Sequence, residues 1–183
     1  AYSALGTAIG GGSSQTNKGG DADVTIIGGN VIAKSGAAGS AGIGGGMTCT
    51  GGGSSLTGNN RNGGNATIII GSKNSVMPIL RTGSIGGGGT NASGGNIGNA
   101  NITIYGGDIQ AQFVMAASDN NVFNMQGGLI RNSDTSDNEY KCIQENGGAV
   151  YMQKGTFTMS GGTIKKCSAS KTSASKGGAV YIE

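Results

Sequence analysis

Nine carboxylates, three cysteines and no histidine set what chemistry this chain can carry. Without imidazole there is no Ser-His-Asp or Cys-His catalysis and no histidine metal ligand. Glycosidic-bond hydrolysis and lyase chemistry need carboxylates that converge on one face, often with a bound cation. The acids here are Asp21, Asp23, Asp108, Asp119, Asp134, Asp137, Glu139, Glu145 and Glu183, and they are dispersed. Asp134, Asp137 and Glu139 share one polar segment. It reads as a solvated loop, with a weak cation site as the lesser alternative. Gly19-Gly-Asp-Ala-Asp-Val24 shares part of the Gly-Gly-x-Gly-x-Asp calcium pattern, but Ala22 stands where that pattern needs Gly, and it does not recur. No Gly-rich run ends in Gly-Lys-Ser/Thr, so none is a phosphate loop. The expectation is a chain that is not an enzyme and needs no metal or cofactor.

Three other groups of residues carry potential chemistry. Cys142 and Cys167 both follow a third strand in successive repeats, so a disulfide between them is geometrically feasible. The odd count, with Cys49, leaves one cysteine over. Asn65, Asn91 and Asn101 each open an Asn-x-Ser/Thr sequon. A eukaryotic secretory pathway would glycosylate such sites, whereas in a bacterium they are plain outward asparagines. Asn65 and Asn101 are placed at the same repeat position as Asp23. Tyr151 and Tyr181 are equivalent positions one repeat apart. Stacked there, they are either a packing ladder or a platform for a sugar ring.

The elements that position these residues recur. Six apolar starts, Ile9, Ile43, Ile85, Phe113, Gly147-Gly-Ala-Val-Tyr151 and Gly177-Gly-Ala-Val-Tyr181, all but Phe113 glycine-flanked, follow one another at intervals of 28 to 42 residues. After each of the first five come a second apolar run, a Gly-rich corner and a third run. Aligned on the Gly pair that follows it, the second run gives two inward columns, since side chains alternate along a strand. One is Val24, Ala66, Ile102, Phe123 and Phe157. The other is Ile26, Ile68, Ile104, Met125 and Met159. The rank between them, Thr25, Thr67, Thr103, Asn124 and Thr158, faces outward. Val31, Ile109, Ile130 and Ile164 form the inward column of the third run. The second repeat departs there, with Ser72-Lys-Asn-Ser inserted before Val76-Met-Pro-Ile-Leu80. Pro78, lacking an amide donor, belongs at a bulge or strand end.

This period and alternation predict an all-β chain, residues 1–183 forming one domain. The architecture expected is a right-handed parallel β-helix of about five three-strand coils plus one further strand. Forty glycines and one proline exclude collagen, which needs Gly at every third position and abundant Pro. Aromatics at 4% and no Trp point to a thin aliphatic core. A net charge of +3, scattered along the chain, is no nucleic-acid footprint. No stretch approaches the roughly 20 apolar residues of a membrane helix. Length variation sits in polar segments at about 47–64, 131–146 and 168–176. Both ends are expected to expose strand edges, so further coils of the same chain, or a second copy stacked end to end, are the expected partners.

Gly147-Gly-Ala-Val-Tyr-Met-Gln-Lys-Gly-Thr-Phe-Thr-Met-Ser-Gly-Gly162 and Gly177-Gly-Ala-Val-Tyr181 resemble the repeats of large bacterial surface proteins. They are similar to the Gly-Gly-Ala-Ile repeats of polymorphic outer-membrane and autotransporter adhesins. Gly42-Ile-Gly-Gly-Gly46 and Gly28-Gly-Asn-Val-Ile-Ala33 resemble Gly-rich repeats of Firmicutes cell-wall proteins. The resemblance implies secretion, surface display and adhesion or scaffolding, and it carries no catalytic motif. The leading expectation is therefore an extracellular or cell-surface structural module: a rod, spacer or filament subunit. The alternative is a glycan-binding or carbohydrate-active domain. An ice-binding face comes third, because only one regular threonine rank is seen.

Overall fold

The computed structural model describes residues 1–3, 6–35, 41–47, 62–73, 77–89, 96–131, 143–144, 147–169 and 176–183. The chain is all-β. Its strands build one curled sheet with a two-stranded addition, and every pairing among the described residues is parallel. Each strand pairs with the equivalent strand of the repeat before or after it.

The strands fall into three columns. The first holds β2 (Ile9–Gly10), β5 (Ile43–Gly44), the end of β7 (Ile79–Gly86), the middle of β9 (Asp108–Met125), the start of β12 (Val150–Met159) and β15 (Val180–Ile182). Its register aligns Ile9, Ile43, Ile85, Phe113, Val150 and Val180. Ile85 and Phe113 are thus 28 residues apart and Phe113 and Val150 are 37 apart. The second column holds β3 (Ala22–Ile26), β6 (Ala66–Ile70), β8 (Ala100–Ile104) and the ends of β9 and β12. The third holds β1 (Tyr2–Ser3), β4 (Asn30–Ser35), the starts of β7 and β9, β10 (Leu129–Arg131) and β13 (Thr163–Lys165). A separate pair joins β11 (Ile143–Gln144) to β14 (Ser168–Ala169). At 18 residues β9 contributes to all three columns in one strand.

The second column corrects the sequence alignment. Ala66 pairs with Ala22 and Ala100, not with Val24 and Ile102. The inward columns are Val24, Ile68, Ile102, Phe123, Phe157 and Ile26, Ile70, Ile104, Met125, Met159. The rank between them is Thr25, Ile69, Thr103, Asn124 and Thr158, with Ile69 in the place expected for Thr67. A two-residue slip keeps every side chain on its face, so the inward and outward sets survive while neighbours change. The cause is the corner of the second repeat. It turns at Gly71, with φ +77°, directly after Ile70, whereas the first repeat runs on to Gly29. In the third column Leu80 fills the place left by the insertion, between Val31 and Ile109. Pro78 immediately precedes β7, where its carbonyl accepts Asp108 N–H and no donor is required of it.

The core is thin and continuous. Ile43, Ile68, Ile70, Leu80, Ile85, Ile102, Ile104, Ile109, Phe113, Phe123, Met125 and Ile130 are fully buried. Each such side chain stabilises the fold by about 1.5–3 kcal/mol relative to exposure. Phe123 meets Phe113 edge-on at 5.0 Å and stacks on Phe157 at 5.2 Å. Val24, Ile26, Val31, Phe157 and Ile164 pack against this core but are partly exposed. Met159, expected inside, is 41% exposed, because it is last in its column and has a neighbour on one side only.

A second layer of contact has no side chains at all. Backbone hydrogen bonds of 2.8 Å run from Gly20 N–H to Gly12 O, Gly46 to Gly20, Gly64 to Gly46, Gly88 to Gly64 and Gly98 to Gly88. Each bond joins the corner after a first strand to the entry of a second strand, so the seam climbs through three repeats. A Cβ on Gly64 would overlap the Gly20 carbonyl, and one on Gly88 the Gly46 carbonyl. Glycine here is required by the close approach of two backbones.

Candidate functional site

The most ordered polar arrangement is a ladder of asparagines beside the glycine seam. Asp21 Oδ1 accepts Asn65 N–H at 2.6 Å, and Asn65 Oδ1 accepts Asn99 N–H at 3.0 Å. Asn62 Oδ1 accepts Asn96 N–H at 3.0 Å. Asn121, fully buried, accepts Ala100 N–H at 2.8 Å and donates from Nδ2 to Lys154 O at 2.9 Å. Each side chain satisfies a main-chain group of a neighbouring repeat just where a strand begins. Lys18 Nζ bonds Asp21 Oδ1 at 2.7 Å. That ammonium, helped by the Asn65 N–H, holds the Asp21 carboxyl below its ordinary value against the opposing effect of burial.

The ladder was missed in the sequence, though a signal exists. Lys18-Gly-Gly-Asp-Ala22, Asn62-Gly-Gly-Asn-Ala66 and Asn96-Ile-Gly-Asn-Ala100 share one pattern. Aligning on that entry pattern, rather than on the corner after the strand, yields the observed register. It also moves one sequon: Asn65 occupies the Asp21 position, not that of Asp23, and Thr67 and Asn101 are the Asp23 equivalents.

The sequence candidates are placed as follows. Asn65 is half-buried, with its side-chain oxygen engaged by Asn99, whereas Asn101 is exposed on β8. Asn91 lies outside the described residues, as do Cys49, Cys142, Asp134, Asp137, Glu139 and Glu145. Of the Cys142–Cys167 pair only Cys167 is described; it is half-buried and its thiol donates to Lys165 O at 3.3 Å. Tyr151 and Tyr181 are register neighbours whose rings stack at 6.0 Å with planes 6° apart. One ring face of each is therefore turned to the other, and Lys176 Nζ lies 5.8 Å from the Tyr181 centroid. Burial, and next the nearby Glu183 carboxylate, push the Tyr151 phenol above its ordinary value.

Two of the described acids, Asp108 and Asp119, form cross-repeat ion pairs. Asp108 takes two hydrogen bonds from Arg131, Nε to Oδ1 at 2.8 Å and a terminal nitrogen to Oδ2 at 2.9 Å. Such a two-point pair fixes geometry as well as charge. Asp119 meets Lys154 Nζ at 2.7 Å on the exposed surface, where a pair adds little stability. Arg81 and Gln110 are register neighbours that leave Arg81 Nε and Gln110 Oε1 buried without a hydrogen-bond partner, the one costly polar spot among the described side chains. No three Cys, Asp or Glu side chains among the described residues come together as metal ligands. No described helix is long and apolar enough to cross a membrane.

No protein-family model, no curated protein and no solved structure matches the chain.

Proposed function

We propose that this chain is a right-handed parallel β-helix of about five three-strand coils and that it acts outside the cell, or on its surface, as a structural or adhesive module. The observation that carries this reading is the register. Ile9, Ile43, Ile85, Phe113, Val150 and Val180 stand in one column, and the second and third columns repeat the same order. A chain that visits three parallel columns in fixed order winds as a helix, and the right hand is the one such crossovers take.

The functional half rests on what the polar groups do. Asparagines close main-chain donors between repeats, and the described Asp side chains at 21, 108 and 119 hold neighbouring cations. These groups serve stacking. The outward second-strand face carries Thr25, Thr103, Asn124 and Thr158, neutral polar side chains suited to a hydrated outer surface. With Ile69 inside that rank, an ice-matching threonine array is the weakest reading.

The partner proposed is more of the same. Val24, Ile26 and Val31 on one side, and Phe157, Met159 and Ile164 on the other, are only partly covered. Another β-helix coil, from the same polypeptide or a second copy, fits both. Surface glycans are the alternative partner, through Tyr151 and Tyr181. Sedimentation across a concentration range, run beside titration with oligosaccharides, separates these. Mass that rises with concentration supports stacking of copies, and a fixed monomer leaves continuation of the chain. Sugar binding abolished by Tyr181→Ala favours the glycan reading. Cleavage of an acidic polysaccharide, lost in Asp108→Asn, would overturn the structural assignment.

A further inference from the structure

Asn62-Gly63 is a reactive dipeptide held shut by the fold. In an open chain, glycine leaves the amide nitrogen after an asparagine unhindered, so the asparagine side chain readily cyclises onto it. Here one residue of the next repeat restrains both reacting groups. Asn62 Oδ1 accepts Asn96 N–H at 3.0 Å, and Gly63 N–H donates to Asn96 O at 2.9 Å. Gly63 is buried, and a Cβ there would overlap the Gly88 carbonyl, so its backbone is packed directly against the next repeat.

We propose that Asn62-Gly63 is a latent self-modification site, closed while the third repeat is seated on the second and reacting when they part. The Gly63 nitrogen attacks Asn62 Cγ. The N–Cγ bond forms, the Cγ–Nδ2 bond breaks, and the nitrogen's proton leaves with the amide group as ammonia. Water then opens the cyclic imide at either carbonyl, giving aspartate or isoaspartate. No oxidant or reductant is involved.

The two products differ in consequence. Aspartate fits, because Asp21 already accepts Asn65 N–H in the same ladder. Isoaspartate puts an extra carbon into the main chain just before Gly63. That displaces Gly64, whose N–H bonds Gly46 O and whose carbonyl accepts Gly88 N–H, each at 2.8 Å. The isoaspartyl chain can no longer close the glycine seam, so the reaction makes an opening of the repeats permanent.

The test compares the folded chain, the chain in urea and a synthetic peptide of residues 58–68 in one mildly alkaline buffer. Peptide mapping by mass spectrometry follows the deamidated 62–63 fragment and separates it from Asn146-Gly147. Reaction is limited by the open fraction, so the folded chain should react at least about tenfold more slowly than both references. The recovered isoaspartyl protein should melt earlier than the parent, whereas Asn62→Asp should melt at the parent's temperature. Equal rates in the folded chain and the peptide would overturn the closed site. An isoaspartyl form as stable as the parent would overturn the link to the seam.

Discussion

Asn121 and Ala100 lie 21 residues apart in sequence, yet Asn121 Oδ1 accepts the Ala100 N–H at 2.8 Å with both residues buried. The other end of the same amide reaches Lys154 O, one repeat further on. One side chain thus ties three consecutive repeats. Asn121→Ala leaves the buried Ala100 N–H without a partner, which costs about 1–3 kcal/mol, and releases the more exposed Lys154 carbonyl. Urea denaturation should show a midpoint well below that of the parent. Asn124→Ala, on the outer rank, should stay within about 0.5 kcal/mol. Equal midpoints for the two variants would remove the ladder from the account.

The glycine seam makes a sharper contrast. A Cβ at Gly64 overlaps the Gly20 carbonyl, whereas one at Gly12 meets nothing within 4 Å. Neither position requires positive φ, so the difference is one of space alone. Gly64→Ala should cost about 3 kcal/mol or more, since two backbones must separate. Gly12→Ala should be near neutral. Thermal unfolding followed by circular dichroism reads both, and a neutral Gly64→Ala would show that the seam is open in solution.

Ile104 stands between Ile70 and Met125 and is fully buried. Ile104→Asp places an unpaired carboxylate in that column and should cost several kcal/mol, about 3–5. Thr103→Ala, one residue away and facing out, should do little. A stable Ile104→Asp protein would mean that the column faces water.

Most of this core could be read from the sequence, because alternation fixes the face of each residue whatever its neighbour. The neighbour itself was less legible. In the second repeat Ala66 and Ile68 were placed one step along the column, since Gly71 turns the chain early and the following corner is not a reliable anchor. The Gly-Gly-Asp-Ala and Gly-Gly-Asn-Ala entries were the better anchor, because there main-chain hydrogen bonds and asparagine side chains fix the register physically. The ladder itself was hidden for a related reason. Asparagine in a Gly-rich stretch reads as turn or loop, and only the stacking of repeats gives it a backbone donor to hold.

Two groups shape the pH profile in opposite directions. Asp21 has its folded-state pKa lowered, first by the Lys18 hydrogen bond. Its contribution is present above the ordinary carboxylate range and is lost as pH falls through the lowered value. Tyr151 has its pKa raised, first by burial. Its contribution is present below the ordinary tyrosine value, about 10, and is lost as pH rises through the raised one. Asp21 is exposed and Tyr151 only half-buried, so the effects are small. Melting temperature against pH should show a flatter acid limb in Asp21→Asn and a flatter alkaline limb in Tyr151→Phe. Unchanged limbs would mean that neither interaction persists in solution.

The register of the second column is the claim on which the stacked-repeat account depends, and paired cysteines test it directly. Thr67 and Asn101 are exposed register neighbours. In a parallel pair their Cβ atoms stand about 4.8 Å apart, close to what a disulfide spans after a small shift. Thr67 and Thr103 are offset by two residues, at roughly 8 Å. With Cys49, Cys142 and Cys167 changed to Ser, each double variant, Thr67→Cys/Asn101→Cys and Thr67→Cys/Thr103→Cys, is exposed to a mild oxidant and digested for mass spectrometry. The account predicts rapid disulfide formation in the Asn101→Cys variant and slow formation in the Thr103→Cys variant. The reverse order, or no cross-link in either, would contradict it.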